Sequence, residues 1–294
     1  MTRLFHVSDV HFGREDKAAI AWFDSLVAAE KPDAVVMTGD LTMRARRSEF
    51  DAGLAWLRSL DRPVTVEVGN HDLPYFNLLA RIFTPYRRIR EIERMIEKPL
   101  ELPGVAIVPL KTTARAQFRL NWASGRVSRL ALNQALALVE AAPKDKLVFI
   151  ACHHPLVEPH KRLSKQTHHG AEALEALVRA GADAILTGHV HDAFDVEHRD
   201  GDAVVRMIGA GTLSERTRST PPSFNEIRIE NGGFEVVCRT MTPQPDELFA
   251  GGGTAGGLTP LWSNDVDLAL SRMRERVWKS EQGYSFPDPS HNRR

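Results

Sequence analysis

The chain has 294 residues, 43% of them hydrophobic and 26% charged, enough apolar material for one large α/β domain or two small ones. Its 38 Lys and Arg balance 38 Asp and Glu, which excludes a protein built mainly to coat nucleic acid or anionic membrane, since that needs a large basic excess.

Leu4 to Val7 reads as a short apolar strand, and Lys17 to Ala29 has helical periodicity through Ile20, Phe23, Leu26 and Val27. Ala34 to Met37 is a second strand, Ser48 to Leu60 a second helix and Val64 to Val68 a third strand. Strand, helix, strand, helix, strand at this spacing implies a parallel sheet with right-handed crossovers. Residues 73–98 read as a basic helical insert. Residues 111–129 carry Lys111, Arg115, Arg119, Arg126 and Arg129 without an acidic residue, so that 81–129 hold 11 Lys or Arg against 4 Glu. Ser128 then caps a helix to Ala142, Leu147 to Ala151 is a strand, Ala171 to Ala180 a helix and Ala184 to Thr187 a strand.

From about Ala193 to Thr240 the helical signal stops. Alternating Val204, Met207, Ile227, Ile229 and Val236, with Asn231-Gly232-Gly233 as a turn, read as antiparallel hairpins. An α/β sheet finished by such a meander suggests two sheets packed face to face with helices outside. Residues 1–242 are therefore expected to form one domain. In 243–294 the run Gly251 to Gly257 reads as a flexible linker, Val266, Ala269, Leu270, Met273 and Val277 share one face of a helix over 265–279, and 281–294 read as a disordered tail. That apolar stripe, with Trp262 before it and Trp278 within it, is a candidate contact for a homo-oligomer.

Two cysteines, Cys152 and Cys238, cannot form a disulfide framework, and charge and histidine replace the apolar stretch of a signal peptide at the N-terminus. The longest apolar run, Leu147 to Cys152, falls far short of the roughly 18 residues of a membrane span. A cytoplasmic setting is expected.

Five polar clusters stand directly after apolar strands: Asp9-Val10-His11, Gly39-Asp40, Gly69-Asn70-His71-Asp72, His153-His154-Pro155 and Gly188-His189-Val190-His191. In an open α/β sheet the carboxyl ends of parallel strands form one edge, where ligands collect. Singly each cluster is weak, because Asp-x-His and strand-end Gly-Asp are common in turns and surface loops. Jointly they place Asp, Asn and His donors in one neighbourhood, hard oxygen and imidazole ligands that suit Mn, Fe or Zn. Seven such donors exceed what one ion needs, and a shared carboxylate would make two sites.

Asp9-x-His11, Gly39-Asp40, Gly69-Asn70-His71-Asp72, His153 and Gly188-His189-x-His191 together resemble the signature of the calcineurin-like metallophosphoesterases. The resemblance spans residues 4–191, with the β segment to about 240 fitting the family's second sheet. It implies a four-layer α/β/β/α sandwich with two mixed β-sheets and a dinuclear metal centre at one end. It implies one ion on Asp9, His11, Asp40 and His191, and a second on Asp40, Asn70, His153 and His189, with Asp40 bridging. Two such ions lower the pKa of a shared water towards about 7 and neutralise phosphoryl charge during in-line displacement. His71 is then the group to protonate the leaving oxygen, with Asp72 to orient it.

Gly39 to Arg47, reading Gly-Asp-Leu-Thr-Met-Arg-Ala-Arg-Arg, looks like the bacterial class III cyclic-nucleotide phosphodiesterase type. That likeness favours a phosphodiester substrate, with a nucleotide as a candidate; Arg44, Arg46 and His154 are candidate substrate contacts, and the basic 111–129 segment is a further source of positive potential beside the metals. His160, Lys161, Arg162, Lys165, His168 and His169 would form a polar loop near the pocket mouth. A phosphomonoesterase or a nucleoside-diphosphate-lipid pyrophosphohydrolase would use the same centre. A nuclease would want a long basic channel, which zero net charge disfavours, and a non-catalytic scaffold should have lost metal ligands.

Overall fold

Alternation decides which face each strand buries. In the computed structural model, described for residues 1–73, 98–113, 124–158, 167–201 and 203–241, β1 (Thr2–Val7) and β2 (Ala34–Met37) each divide their side chains between two cores. Phe5, Val7, Val35 and Met37 pack outwards under α1 (Lys17–Glu30) and α2 (Arg47–Ser59), while Leu4, Ala34 and Val36 face inwards. The second sheet repeats the rule. In β6 (Leu147–Ala151), Val148 and Ile150 pack under α3 (Arg129–Ala141) and α4 (Gly170–Ala180), and Phe149 and Ala151 face inwards. Period two gives each strand two apolar faces, and twelve buried residues from both sheets make the middle core. Each large one contributes about 1.5–3 kcal/mol by leaving water. The result is a four-layer α/β/β/α sandwich.

The first sheet has the order β11-β10-β1-β2-β3, with β3 (Val64–Val66), β10 (Ser223–Glu230) and β11 (Gly233–Thr240). The second has the order β4-β5-β6-β7-β9-β8, with β4 (Leu100–Leu102), β5 (Val105–Pro109), β7 (Ala184–Thr187), β8 (Phe194–Asp200) and β9 (Ala203–Gly209). β1, β2 and β3 run parallel, as do β5, β6, β7 and β9, and the remaining strands are antiparallel, so both sheets are mixed.

Helix ends follow local chemistry. The Asp16 carboxylate accepts from the Ala18 and Ala19 amides at 2.9 and 3.1 Å to start α1, and Ser128 Oγ accepts from the Ala131 amide at 3.1 Å to start α3, as capping side chains do. Gly181, at φ 97°, ends α4 in the left-handed region.

Three features differ from the sequence reading. β4 and β5, separated by Pro103 and Gly104, were not anticipated. The expected meander is two hairpins in different sheets: β8–β9 joins the second, and β10–β11 joins the first, antiparallel to β1. β9 also runs parallel to β7, so its carboxyl end points to the same edge as those of β6 and β7. These strands belong to the unit Met1–Thr242. The expected linker, the helix over 265–279 with Trp262 and Trp278, and the tail lie outside the described residues. So do residues 74–97, 114–123 and 159–166, which hold most of the basic insert, Arg115, Arg119, His160, Lys161, Arg162 and Lys165. Among the described residues no helix is long and apolar enough to cross a membrane.

Candidate metal centre

The loops after β1, β2, β3, β6 and β7 meet at one edge and bring all seven expected donors together. Asp9, His11, Asp40, Asn70, His153 and His191 are buried and His189 is half-buried. Asp9/His11/His191, His11/Asp40/His71, Asp9/Asp40/His153 and His153/His154/His189 each offer donor atoms within 4.8 Å of one another.

The backbone is bent to achieve this. Asp9, His11, Asp40, His189 and His191 all sit at positive φ, between 52° and 69°. Left-handed conformations cost non-glycine residues about 1–3 kcal/mol each and persist only where surrounding contacts fix them. Those contacts are specific. The Asp9 amide donates to the Gly39 carbonyl and the His11 amide to the Asp40 carbonyl, both at 3.0 Å. Gly69 is required because a Cβ there would collide with the Asp40 carboxylate and amide, and Gly188 because a Cβ would meet Ser8 and the Asp9 carboxylate.

Each carboxylate turns one oxygen to the backbone and one to the cluster. Asp9 Oδ2 accepts from the His189 amide at 2.8 Å, leaving Oδ1 3.2 Å from His191 Nε2 and 3.7 Å from His11 Nε2. Asp40 Oδ1 accepts from the His71 amide at 2.8 Å, leaving Oδ2 3.4 Å from His153 Nε2 and 3.7 Å from His11 Nε2. Two imidazoles are oriented in the same way. His153 Nδ1 donates to the Thr38 carbonyl and His191 Nδ1 to the Arg216 carbonyl, both at 2.8 Å. A carbonyl can only accept, so each neutral ring presents the Nε2 lone pair inwards. His11 Nε2 and His191 Nε2 then face each other at 3.2 Å.

The electrostatics call for a cation. Burial opposes a charge on Asp9, but His191 outweighs it and holds the carboxyl below its usual range; burial opposes a charge on Asp40 likewise, and His153 outweighs it. Burial also opposes a charge on His153, yet Asp40 raises it to about 9, while burial lowers His11 to about 4 and His189 to about 3. A cluster that recruits a proton onto His153 binds positive charge at carboxylates that pair with no lysine or arginine among the described residues, and a metal ion displaces such a proton on binding. Asp9 Oδ1, buried without a hydrogen-bond donor among the described residues, is the same demand at another atom. Ionised carboxylates beside neutral imidazoles fit first-row divalent metals.

The remaining expectations separate. His71 Nδ1 donates to the Met43 carbonyl at 2.8 Å, and its ring stacks edge-on against His11 at 4.8 Å. Asp72 does not orient it. The Asp72 oxygens accept from the amides of Gly69, Leu41 and Thr42 and from Thr42 Oγ1, so its task is to tie the loop after β3 to the loop after β2. Burial first and Asp40 second push this carboxyl up to about 6. His154 is buried beside His153 and His189, with Nδ1 3.0 Å from Thr112 Oγ1. Arg44 and Arg46 are exposed and, among the described residues, make no contact with the cluster: both amides donate to Glu49 Oε2, and the Arg46 guanidinium lies 3.9 Å from Glu49. Glu49, in the first turn of α2, draws this segment to the helix. His168 and His169 are exposed.

A residue that the sequence reading passed over reaches the centre instead. Arg216, in the loop after β9, places Nη1 3.2 Å from His11 Nε2 and 3.3 Å from His71 Nε2. Its signal was the direction of β9, because a strand parallel to β7 sends its following loop to this edge.

A family model described as calcineurin-like phosphoesterase matches residues 2–193. Among solved structures the chain is similar to a dimetal phosphatase from Danio rerio, at 16% identity and a TM-score of 0.60, covering 81% of this chain and 96% of that one. It is similar to a purple acid phosphatase from yellow lupin, Lupinus luteus, at 13% identity and a TM-score of 0.57, covering 81% of this chain and 51% of that one. It is also similar to GAP50, the anchor in the inner membrane complex of Plasmodium, at 14% identity and a TM-score of 0.55, covering 81% and 84%. At these identities the likenesses show the fold. A search of the curated proteins finds no match.

Proposed function

The chain belongs to the calcineurin-like phosphoesterase family, and on that premise we propose that it is a dinuclear-metal phosphohydrolase acting on a phosphodiester, with cyclic nucleotides among its candidate substrates. One observation carries the reading. Asp40 Oδ2 lies between His11 Nε2 and His153 Nε2, at 3.7 and 3.4 Å, where one oxygen can serve two ions. Asp9, His11, Asp40 and His191 would hold the first, and Asp40, Asn70, His153 and His189 the second, with Mn, Fe or Zn as candidate metals. When bound, the metals supply a water that ionises near pH about 7 and Lewis-acid neutralisation of phosphoryl oxygens.

The chain's own residues do the rest. The amides of His189 and His71 fix the carboxylates, and the Thr38 and Arg216 carbonyls fix two imidazoles, so the donors are positioned before substrate arrives. His71 stands beside His11 with Nδ1–H committed to Met43. It therefore gives a proton to a leaving oxygen only from the doubly protonated ring, through Nε2. The diester preference is supported by the Gly39 to Arg47 segment and by charge. Among the described residues a single arginine, Arg216, reaches the cluster through its side chain, which suits a singly charged diester better than a dianionic monoester. The unbridged Cys152 and Cys238 support a cytoplasmic setting.

A hydrolysis panel on metal-reconstituted protein tests this reading, with bis-aryl and mono-aryl phosphates, 2′,3′- and 3′,5′-cyclic nucleotides and a nucleoside-diphosphate lipid. Diesters should turn over fastest. Preference for the monoester or the lipid pyrophosphate overturns the diester assignment, and no bound metal with no hydrolysis favours a scaffold.

A further inference from the structure

Arg216 is a cation aimed at the centre from a rigid loop. Its amide donates to Ser214 Oγ at 3.3 Å, Ser214 Oγ lies 2.7 Å from Thr212 Oγ1, and Thr212 Oγ1 donates to the Asp9 carbonyl at 2.6 Å. Its own carbonyl accepts from His191 Nδ1. Arg216 enters these contacts only through its own amide and carbonyl, so a change of its side chain leaves them in place. The half-buried guanidinium forms no ion pair among the described residues; Nη1 meets His11 Nε2, His71 Nε2 and, at 3.9 Å, Met43 Sδ.

A guanidinium has five N–H donors and no acceptor. His71 in its neutral form, with Nδ1–H on the Met43 carbonyl, offers its Nε2 lone pair to one of them, whereas the doubly protonated ring that would act as an acid carries a proton at that atom and gives up this bond. The other partner, His11 Nε2, is an atom that a bound metal would take for itself. Arg216 would then keep its charge and lose an acceptor, at a place where two divalent cations already outweigh Asp9 and Asp40. An anion is the group that satisfies both conditions, and the planar guanidinium matches phosphoryl oxygens in shape and charge.

We propose that Arg216 is the residue that contacts the substrate's phosphoryl group, donating to an oxygen held between His11 and His71. This deepens the phosphoesterase reading and rests on it. It also moves the substrate-facing positive charge from Arg44 and Arg46, at the start of α2, to the loop after β9.

The test titrates inorganic phosphate calorimetrically into the metal-loaded full chain, as wild type, Arg216→Gln and Arg216→Lys, with metal content per chain measured on the same samples. Phosphate should bind about tenfold to a hundredfold more weakly to Arg216→Gln, with Arg216→Lys between and metal content unchanged. Phosphate affinity within about twofold of wild type in Arg216→Gln overturns the proposal. So does a matching loss of metal, which would make Arg216 a support for the ligands, and so does failure of wild type to bind phosphate. If wild type binds phosphate but hydrolyses nothing in the panel, the catalytic reading fails, and the affinity ratio still decides the role of Arg216.

Discussion

Glu226 on β10 and Asp40 after β2 are both buried carboxylates, yet their surroundings differ in kind. Glu226 lies on regular strand backbone, with Arg228 Nε at 2.8 Å, Arg239 Nη1 at 2.5 Å and Arg3 Nη1 at 3.8 Å. The chain provides every counter-charge that burial of an ion demands. Asp40, like Asp9, sits on left-handed backbone and meets imidazoles and amides, without a lysine or arginine paired to it among the described residues. The first arrangement is complete as it stands. The second leaves its carboxylates without a lysine or arginine partner among the described residues, as a site would that takes its counter-charge from a bound metal.

The largest expected effect comes from emptying the second arrangement. Asp40→Ala and Asn70→Ala should each lower phosphoester turnover by at least about a thousandfold, whereas Glu226→Gln should leave kcat/KM within about twofold. Loss of turnover in folded Glu226→Gln would break the division. Next is the response to metal. A saturating divalent metal at about 100 times its Kd stabilises the folded chain by about 2.7 kcal/mol, a rise in Tm of roughly 5–10 °C for a domain of this size. Wild type and Glu226→Gln should show that rise in thermal melts, and Asp40→Ala should not.

Removing the Glu226 charge is a smaller change. Its arginine partners reach solvent, so Glu226→Gln should cost about 1–3 kcal/mol rather than the larger figures for fully buried pairs. This cost has a pH signature. Burial disfavours the Glu226 charge, but Arg228 and Arg239 outweigh it and hold the carboxyl below its ordinary 4.5. Its contribution is therefore complete above pH 4.5 and is lost as pH falls through the lower folded value. The Tm gap between wild type and Glu226→Gln should be full at pH 7 and narrow on acidification; a gap that widens in acid contradicts the assignment. The least effect is expected at Arg228, whose side chain is 43% exposed: Arg228→Met should leave the midpoint of a denaturant titration close to that of wild type, and a shift as large as that of Glu226→Gln would contradict the ranking.

The parallel framework was legible because its signals are local. Apolar runs at Leu4, Ala34, Val64, Leu147 and Ala184, with polar clusters directly behind them, place seven donors on one edge without any knowledge of partners. Period-two alternation, as at Val205 and Met207, is the same in parallel and antiparallel strands. The direction of β9, the crossing of β10 to the first sheet, and hence the arrival of Arg216 were therefore hidden. Asp72 was misread for a related reason. Adjacency to His71 in sequence suggested contact, while the turn sends its carboxylate back to Leu41 and Thr42. The left-handed backbone at Asp9, His11, Asp40, His189 and His191 is not legible in sequence, since Asp and His enter that region more readily than most residues but still only where the surrounding fold holds them there.

The central claim is that the Asp9–Asp40 cluster is completed by metal. Its most direct test is metal content per chain, by plasma mass spectrometry, after reconstitution with Mn, Fe or Zn and desalting. About two ions per chain are expected in wild type and in Glu226→Gln, with a clear loss in Asp40→Ala. Wild-type protein that retains no metal, or Asp40→Ala with the wild-type content, would contradict it.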